Sequence, residues 1–137
     1  MEYLGSCLCK AVKFKVIGEF NHFYLCHCKY CRKDSGSSHA ANLFSTQAEL
    51  IWLSGEENVR RFEMENTNHV RGFCNICGAA LPNLQMNGAL LVVPAGSLDS
   101  KLDKKPDGHI FMSNKANWDE SLEKVLTYER FPTNQTE

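Results

Sequence analysis

A mainly β fold of short strands is what the sequence predicts. Apolar and polar residues alternate over short stretches, Gly-, Asn- and Ser-containing turns separate those stretches, and few segments keep a helical period. Residues 10–16 alternate cleanly, with Val12, Phe14 and Val16 on one face and Lys13 and Lys15 on the other, as in a half-buried strand. Residues 20–26 are rich in aromatics and read as a second strand. Residues 29–36 are polar and end in Gly36, which predicts a loop carrying one helical turn. Residues 40–44 form the next predicted strand, followed by a turn over 45–49. Ile51-Trp52-Leu53 and residues 59–64 predict two strands joined by a loop at Ser54-Gly55-Glu56-Glu57-Asn58. Residues 69–74 and 90–93 carry strong strand patterns. Residues 80–86 carry a weaker one, because Pro82 cannot donate to a ladder. A short strand at 109–112 is the last. The chain shows no internal repeat, low-complexity stretch or linker, so residues 1–131 are expected to form a single domain and 132–137 a frayed tail.

A chain of 137 residues can bury one core, and 43% hydrophobic with 23% charged residues is an ordinary globular balance. The net charge of −1 supplies no basic excess, so neither nucleic acid nor an anionic membrane surface is expected as the main partner. Lysines between 101 and 105, and Lys29, Arg32 and Lys33, are local clusters only. Met1-Glu2-Tyr3-Leu4 leads into Gly5-Ser6-Cys7 without an apolar signal region, and the longest apolar stretch, residues 89–93, is far too short to span a bilayer. A cytoplasmic location is expected.

Seven cysteines are the unusual number. Disulfide scaffolds are exported and usually carry an even count, whereas clustered cysteines in a reducing compartment more often ligate metal. They fall at Cys7-Leu8-Cys9, Cys26-His27-Cys28-Lys29-Tyr30-Cys31 and Cys74-Asn75-Ile76-Cys77-Gly78. If residues 7–9 are extended, Cys7 and Cys9 project from one face and offer two thiolates to one ion. Cys74 and Cys77 precede Gly78, which permits the left-handed backbone of a tight metal-binding turn. Such a turn holds half of a tetrahedral site, and Cys7 and Cys9 supply the other half. The competing reading is a redox dithiol, although no helix-opening context of the thioredoxin type surrounds either pair.

Cys26, Cys28 and Cys31 remain, three ligands for an ion that takes four. Three protein ligands plus one exchangeable position is the pattern of a catalytic zinc. The alternatives are closure by a histidine or a second purely structural site. His27, between two ligands, would point away from them on a strand, so His39 is the better closer or proton shuttle. Three thiolates make zinc a weak Lewis acid and favour a soft fourth ligand, such as a substrate thiol held as thiolate for carbon–sulfur chemistry. Lys29, Arg32 and Lys33 could offset that charge or meet an anionic substrate, or could be solvated loop residues.

With these motifs in view, the chain resembles the glutathione-dependent formaldehyde-activating enzyme family, which includes the centromere protein V-like proteins. The resemblance rests on Gly5-Ser6-Cys7-Leu8-Cys9-Lys10-Ala11-Val12, on Cys26-His27-Cys28-Lys29-Tyr30-Cys31-Arg32-Lys33 leading to Ser35-Gly36-Ser37, on Phe73-Cys74-Asn75-Ile76-Cys77-Gly78-Ala79, on Pro94-Ala95-Gly96-Ser97-Leu98-Asp99 and on His109-Ile110-Phe111. It implies a β-tent-type zinc-binding fold of small antiparallel sheets and two zinc ions per chain. One ion would be structural, on Cys7, Cys9, Cys74 and Cys77; the other would be catalytic, on Cys26, Cys28 and Cys31. It also implies condensation of formaldehyde with glutathione to S-(hydroxymethyl)glutathione, a carbon–sulfur lyase reaction run in reverse. The small-molecule partner would be a thiol such as glutathione or its aldehyde adduct.

Trp52 and Trp118 could line a pocket but are more often core anchors, the role expected of them here. His109 either faces the zinc pocket or is a satisfied structural histidine, and Ser38 and Asn42 are candidate polar pocket groups. His22 and His69 have no partner legible in the sequence. A zinc-dependent lyase is the leading reading. A non-catalytic zinc-stabilised binding module, with a saturated second site, is the alternative, and a redox or metal-sensing role is the third.

Overall fold

Phe14 and Val16 lie fully buried on the inner face of β2 (Lys13–Ile17) in the computed structural model, which describes residues 1–132. Val12, also fully buried, comes just before that strand. β2 is the centre of a three-stranded antiparallel sheet, between β1 (Glu2–Ser6) and β5 (Glu49–Ser54). β1 carries no clear strand signal, because Gly5 and Ser6 read as turn residues. The structure explains the glycine: Gly5 pairs with Phe14 across the ladder, and a Cβ there would come within 2.2 Å of the Phe14 ring. The ring covers the strand where a side chain would otherwise stand.

A five-stranded sheet has the order β11-β3-β4-β10-β9, from β3 (His22–Cys26), β4 (Ala40–Ser45), β9 (Asn83–Gln85), β10 (Leu90–Pro94) and β11 (Gly108–Ile110). β11 runs parallel to β3, a departure from wholly antiparallel sheets. It reaches that edge after a long connection, so no hairpin turn dictates its direction. The third sheet joins β6 (Val59–Glu63), β7 (Val70–Cys74) and β8 (Ala80–Leu81). Buried Pro82 divides the stretch expected as one weak strand: β8 stays in this sheet and β9 crosses to the five-stranded one.

The segment read as a loop with one turn is instead an α-helix, α1 (Lys29–Ser35). Cys28 stands at its N-cap with extended backbone, and its sulfur accepts the Cys31 N–H at 3.3 Å. The Gly36 N–H closes the helix on the Arg32 carbonyl. Sulfur is an unusual cap, which is why a reading keyed to Ser, Thr, Asp and Asn overlooks it.

Tyr3, Val12, Phe14, Val16, Phe20, Phe23, Leu43, Leu81, Leu91 and Val93 form the buried cluster between the sheets, together with Cys7 and Cys74. Trp52 packs against it, edge-on to Phe14 at 6.0 Å. Trp118 does not anchor the core. It is 57% exposed, on a segment after β11 that forms no strand and therefore has no face to turn inward. Among the described residues, no helix is long and apolar enough to cross a membrane. The expected frayed tail lies outside the described residues, apart from Pro132.

Candidate metal centres and cavity

Two turns from different sheets build the first thiol cluster. Cys7 and Cys9 sit between β1 and β2, where the Cys7 N–H bonds the Val12 carbonyl at 3.0 Å and the Lys10 N–H bonds the Cys7 carbonyl at 3.1 Å. They converge through this turn and not, as expected, along an extended strand. Cys74 ends β7, and the chain turns through Gly78 at φ 77°, where the Gly78 N–H returns to the Cys74 carbonyl at 2.8 Å. All four sulfurs lie within 4.8 Å of one another, with Cys7–Cys9 at 3.6 Å and Cys9–Cys74 at 3.9 Å. Tetrahedral Zn–S bonds set sulfurs about 3.8 Å apart, so this arrangement fits a zinc ion. Backbone N–H groups also aim at sulfur: Val12 to Cys7 at 3.3 Å and Ile76 to Cys74 at 3.4 Å. The Ala79 N–H, with help from the Cys9 backbone, brings the Cys77 thiol down to about 6. At Cys9 the Ala11 N–H pulls downward, but desolvation and the competing thiols win and push it up to about 11.

The second cluster is local. Cys26 ends β3, Cys28 caps α1 and Cys31 lies buried one turn into the helix. Their sulfurs lie within 4.8 Å of one another, and among the described residues no histidine, carboxylate or further cysteine joins the group. Burial pushes the Cys26 and Cys31 thiols up. Burial also opposes ionisation of Cys28, but the backbone of Cys31, the Cys31 and Cys26 thiols and the Tyr30 N–H outweigh it and hold that thiol below its usual range. This donor set, too, could hold a metal ion.

His27 points away from the cysteines, as read from the sequence, into a fully buried site. Its Nε2 is 2.9 Å from Nδ1 of His109, and its backbone N–H bonds the Ile110 carbonyl at 2.9 Å. An Asp119 carboxylate oxygen lies 3.1 Å from Nδ1, off the line of a straight hydrogen bond, so the contact is electrostatic. His109 is thus a partner of His27 and does not line the cavity that the thiols border.

That cavity measures about 820 Å³. The three cysteines border it, as do His39 and Asn42. Ser38 lies buried behind His39, its hydroxyl 2.9 Å from Nδ1. Burial, reinforced by His27 and His109, holds the His39 imidazole below its usual range. Lys29, Tyr30 and Asp34 of α1 line another side, facing His69 and Arg71 at the start of β7. Asp34 bonds His69 Nε2 and lies 3.8 Å from Arg71, tying the helix to the sheet. No local signal in the sequence marks His69 or Arg71, since Asp34 is 35 positions from His69 and only the fold joins them.

Fold and site together define a mainly β protein with two thiol clusters able to hold metal, one of them open to a cavity. The family model for the glutathione-dependent formaldehyde-activating enzyme matches residues 2–114, and the chain belongs to that family. A Halomonas elongata protein, provisionally named as such an enzyme, is 32% identical over 83% of this chain and 77% of its own length. An uncharacterized lyase of Schizosaccharomyces pombe is 39% identical over 64% of this chain and 61% of its own. A crystal structure of a Rhodobacter sphaeroides protein superposes with a TM-score of 0.55 at 20% identity, covering 80% of this chain and 99% of that one, a likeness of fold. Membership and these relatives support an enzyme of the glutathione-related, formaldehyde-activating or lyase type.

Proposed function

We propose that the protein is a zinc-dependent carbon–sulfur lyase-type enzyme acting on a thiol or a thiol–aldehyde adduct, in the manner of S-(hydroxymethyl)glutathione synthase. The observation that carries this reading is the incomplete trio: Cys26, Cys28 and Cys31 converge at the wall of an 820 Å³ cavity with no fourth donor in the group among the described residues. Cys7, Cys9, Cys74 and Cys77 would hold a second, structural zinc. Bound to three thiolates, zinc supplies a soft, weakly acidic fourth position that suits a substrate thiolate better than water.

The chain's own residues do the rest. Cys28 and Cys31, on one rigid helix, and Cys26, at the end of a hydrogen-bonded strand, fix where the substrate sulfur must sit. His39 stays neutral because burial disfavours its imidazolium, so it can take up the thiol proton within the cavity. In the synthetic direction the thiol sulfur bonds the carbonyl carbon of formaldehyde, and the thiol proton ends on the new hydroxyl. The lyase direction breaks that C–S bond and returns the proton to sulfur. Seven free thiols suit a reducing, cytoplasmic setting.

Cobalt-substituted protein tests the reading. Glutathione should shift the thiolate-to-metal charge-transfer bands, and adduct formation should outrun the spontaneous reaction of thiol with formaldehyde. Bands unmoved by millimolar thiol, with no rate above background, would instead describe a saturated second site and a binding module.

A further inference from the structure

The side of the cavity built by α1 and the residues leading into β7 carries a histidine with one ring nitrogen engaged and one open. His69 comes just before β7, and its backbone is held at both ends. Its N–H donates to Thr67 Oγ1 at 3.1 Å, and its carbonyl accepts the Met64 N–H at 3.1 Å. The ring lines the cavity, tilted against the Tyr30 ring at a centroid distance of 5.7 Å, and its Nε2 bonds an Asp34 carboxylate oxygen. The other Asp34 oxygen lies 3.8 Å from Arg71, so the carboxylate is paired on both sides and held in place. An ionised carboxylate only accepts, so Nε2 carries the proton and the neutral ring keeps a basic lone pair on Nδ1. Among the described residues Nδ1 has no hydrogen-bond partner, and it is not sealed in the interior.

Resting on the function proposed above, we propose that His69 is the acid–base group at the oxygen of the thiol–aldehyde adduct, with Asp34 the positioning residue that fixes its tautomer. In the lyase direction Nδ1 removes the hydroxyl proton of the adduct, the carbonyl forms, and the C–S electron pair leaves on sulfur beside Cys26, Cys28 and Cys31. In the synthetic direction that pair makes the C–S bond, and the imidazolium gives its proton to the new alkoxide oxygen. His39 handles the proton on sulfur, and the two rings re-equilibrate through water, so no net proton is gained or lost. The placement agrees with this division. Asp34 follows Cys31 by one helical turn on α1, which sets their Cβ atoms about 5–6 Å apart. A sulfur–carbon–oxygen unit with a hydrogen bond beyond it covers a similar span. A purely structural pin between α1 and β7 accounts for the Nε2 bond and leaves Nδ1 without a use.

The test pairs kinetics with a direct view of the ring. Zinc-loaded His69→Gln should lose about 10²–10⁴-fold in kcat for adduct formation above the spontaneous reaction, with KM for glutathione unchanged. Glutamine keeps a donor for Asp34, so a mere tie between helix and strand survives in that variant. Asp34→Asn should lose less, again in kcat. In wild type, long-range proton–nitrogen NMR should find the proton of neutral His69 on Nε2, and Asp34→Asn should shift that tautomer balance. If His69→Gln does not melt cooperatively, the tautomer and the kcat of Asp34→Asn decide in its place. A wild-type ring protonated on Nδ1, an unchanged kcat in His69→Gln, or a loss confined to KM overturns the role of His69 and leaves the lyase reading standing. Wild-type protein with no rate above the spontaneous reaction overturns both.

Discussion

Cys7, Cys9, Cys74 and Cys77 come from two turns whose thiols are at least 65 positions apart, whereas Cys26, Cys28 and Cys31 fall within one strand end and one helix. A metal ion held by the first cluster would therefore close a long loop and pin the three-stranded sheet of β1, β2 and β5 to that of β6, β7 and β8. The second closes almost nothing, because β3 and α1 are already neighbours in the chain. Loop-closure entropy grows with the separation bridged, so under the proposed zinc assignment a metal at the distant cluster would contribute to folding and one at the local cluster to chemistry. The same donor atom serves both ends, and its place in the topology separates them.

Breaking each cluster in turn gives the largest expected effect. Under the proposed zinc assignment, Cys74→Ser should forfeit much of a structural site, whose metal is worth on the order of 10 kcal/mol in small zinc domains. Whole domains of this size are stable by about 5–15 kcal/mol, so that variant should fail to show a cooperative thermal transition. Cys28→Ser should melt cooperatively, retain one metal per chain and lose the glutathione-induced cobalt bands. Circular dichroism melts with metal analysis decide between them. A Cys28→Ser variant that unfolds while Cys74→Ser folds would invert the comparison.

This contrast was partly visible in the sequence. The four-and-three division of the cysteines followed from spacing alone, and the left-handed turn at Gly78 followed from glycine after a Cys-x-x-Cys pair. Strands with clear alternation, such as the one carrying Phe14 and Val16, were also legible, since one buried face leaves a period of two. What escaped depends on partners far along the chain. Gly5 looks like a turn residue until Phe14 is seen lying over it, and Arg71 looks like a solvated strand residue until α1 is packed opposite. Trp118 misled because size predicts burial only where an element presents a face to the core.

A middle-sized effect should separate the support of the two clusters. His109 and Asp119 hold His27, and His27 fixes the backbone between two members of the trio; neither touches the four-thiol cluster. Under the proposed zinc assignment, His109→Ala should weaken the second metal site roughly ten-fold, as removal of outer supporting groups does, and leave the first site's affinity unchanged. Competition with a chromogenic chelator resolves two metals per chain, and equal weakening at both sites would refute the specific role of His27. Gly5→Ala is the converse probe. A methyl pressed on the Phe14 ring should cost about 1–3 kcal/mol of stability, read from denaturant midpoints, with metal stoichiometry unchanged.

The smallest effect depends on pH and again falls on the side of the trio. Asp107 accepts the Phe23 N–H at 2.9 Å, and that bond, aided by Lys104 at 3.3 Å, holds its carboxyl below its ordinary value of 3.8. It ties the start of β11 to β3, the strand that ends in Cys26. A carboxyl whose folded pKa is depressed stabilises the fold above its unfolded value and loses that contribution as pH falls through the folded one. Asp107→Asn keeps an acceptor for Phe23 but loses the charge. Wild type should therefore melt slightly higher at neutral pH, and the gap should close as pH falls below 3.8. Thermal melts of both proteins across that range measure it. A gap that persists in stronger acid would mean that the difference comes from how the amide fits beside Phe23 and not from the charge of Asp107.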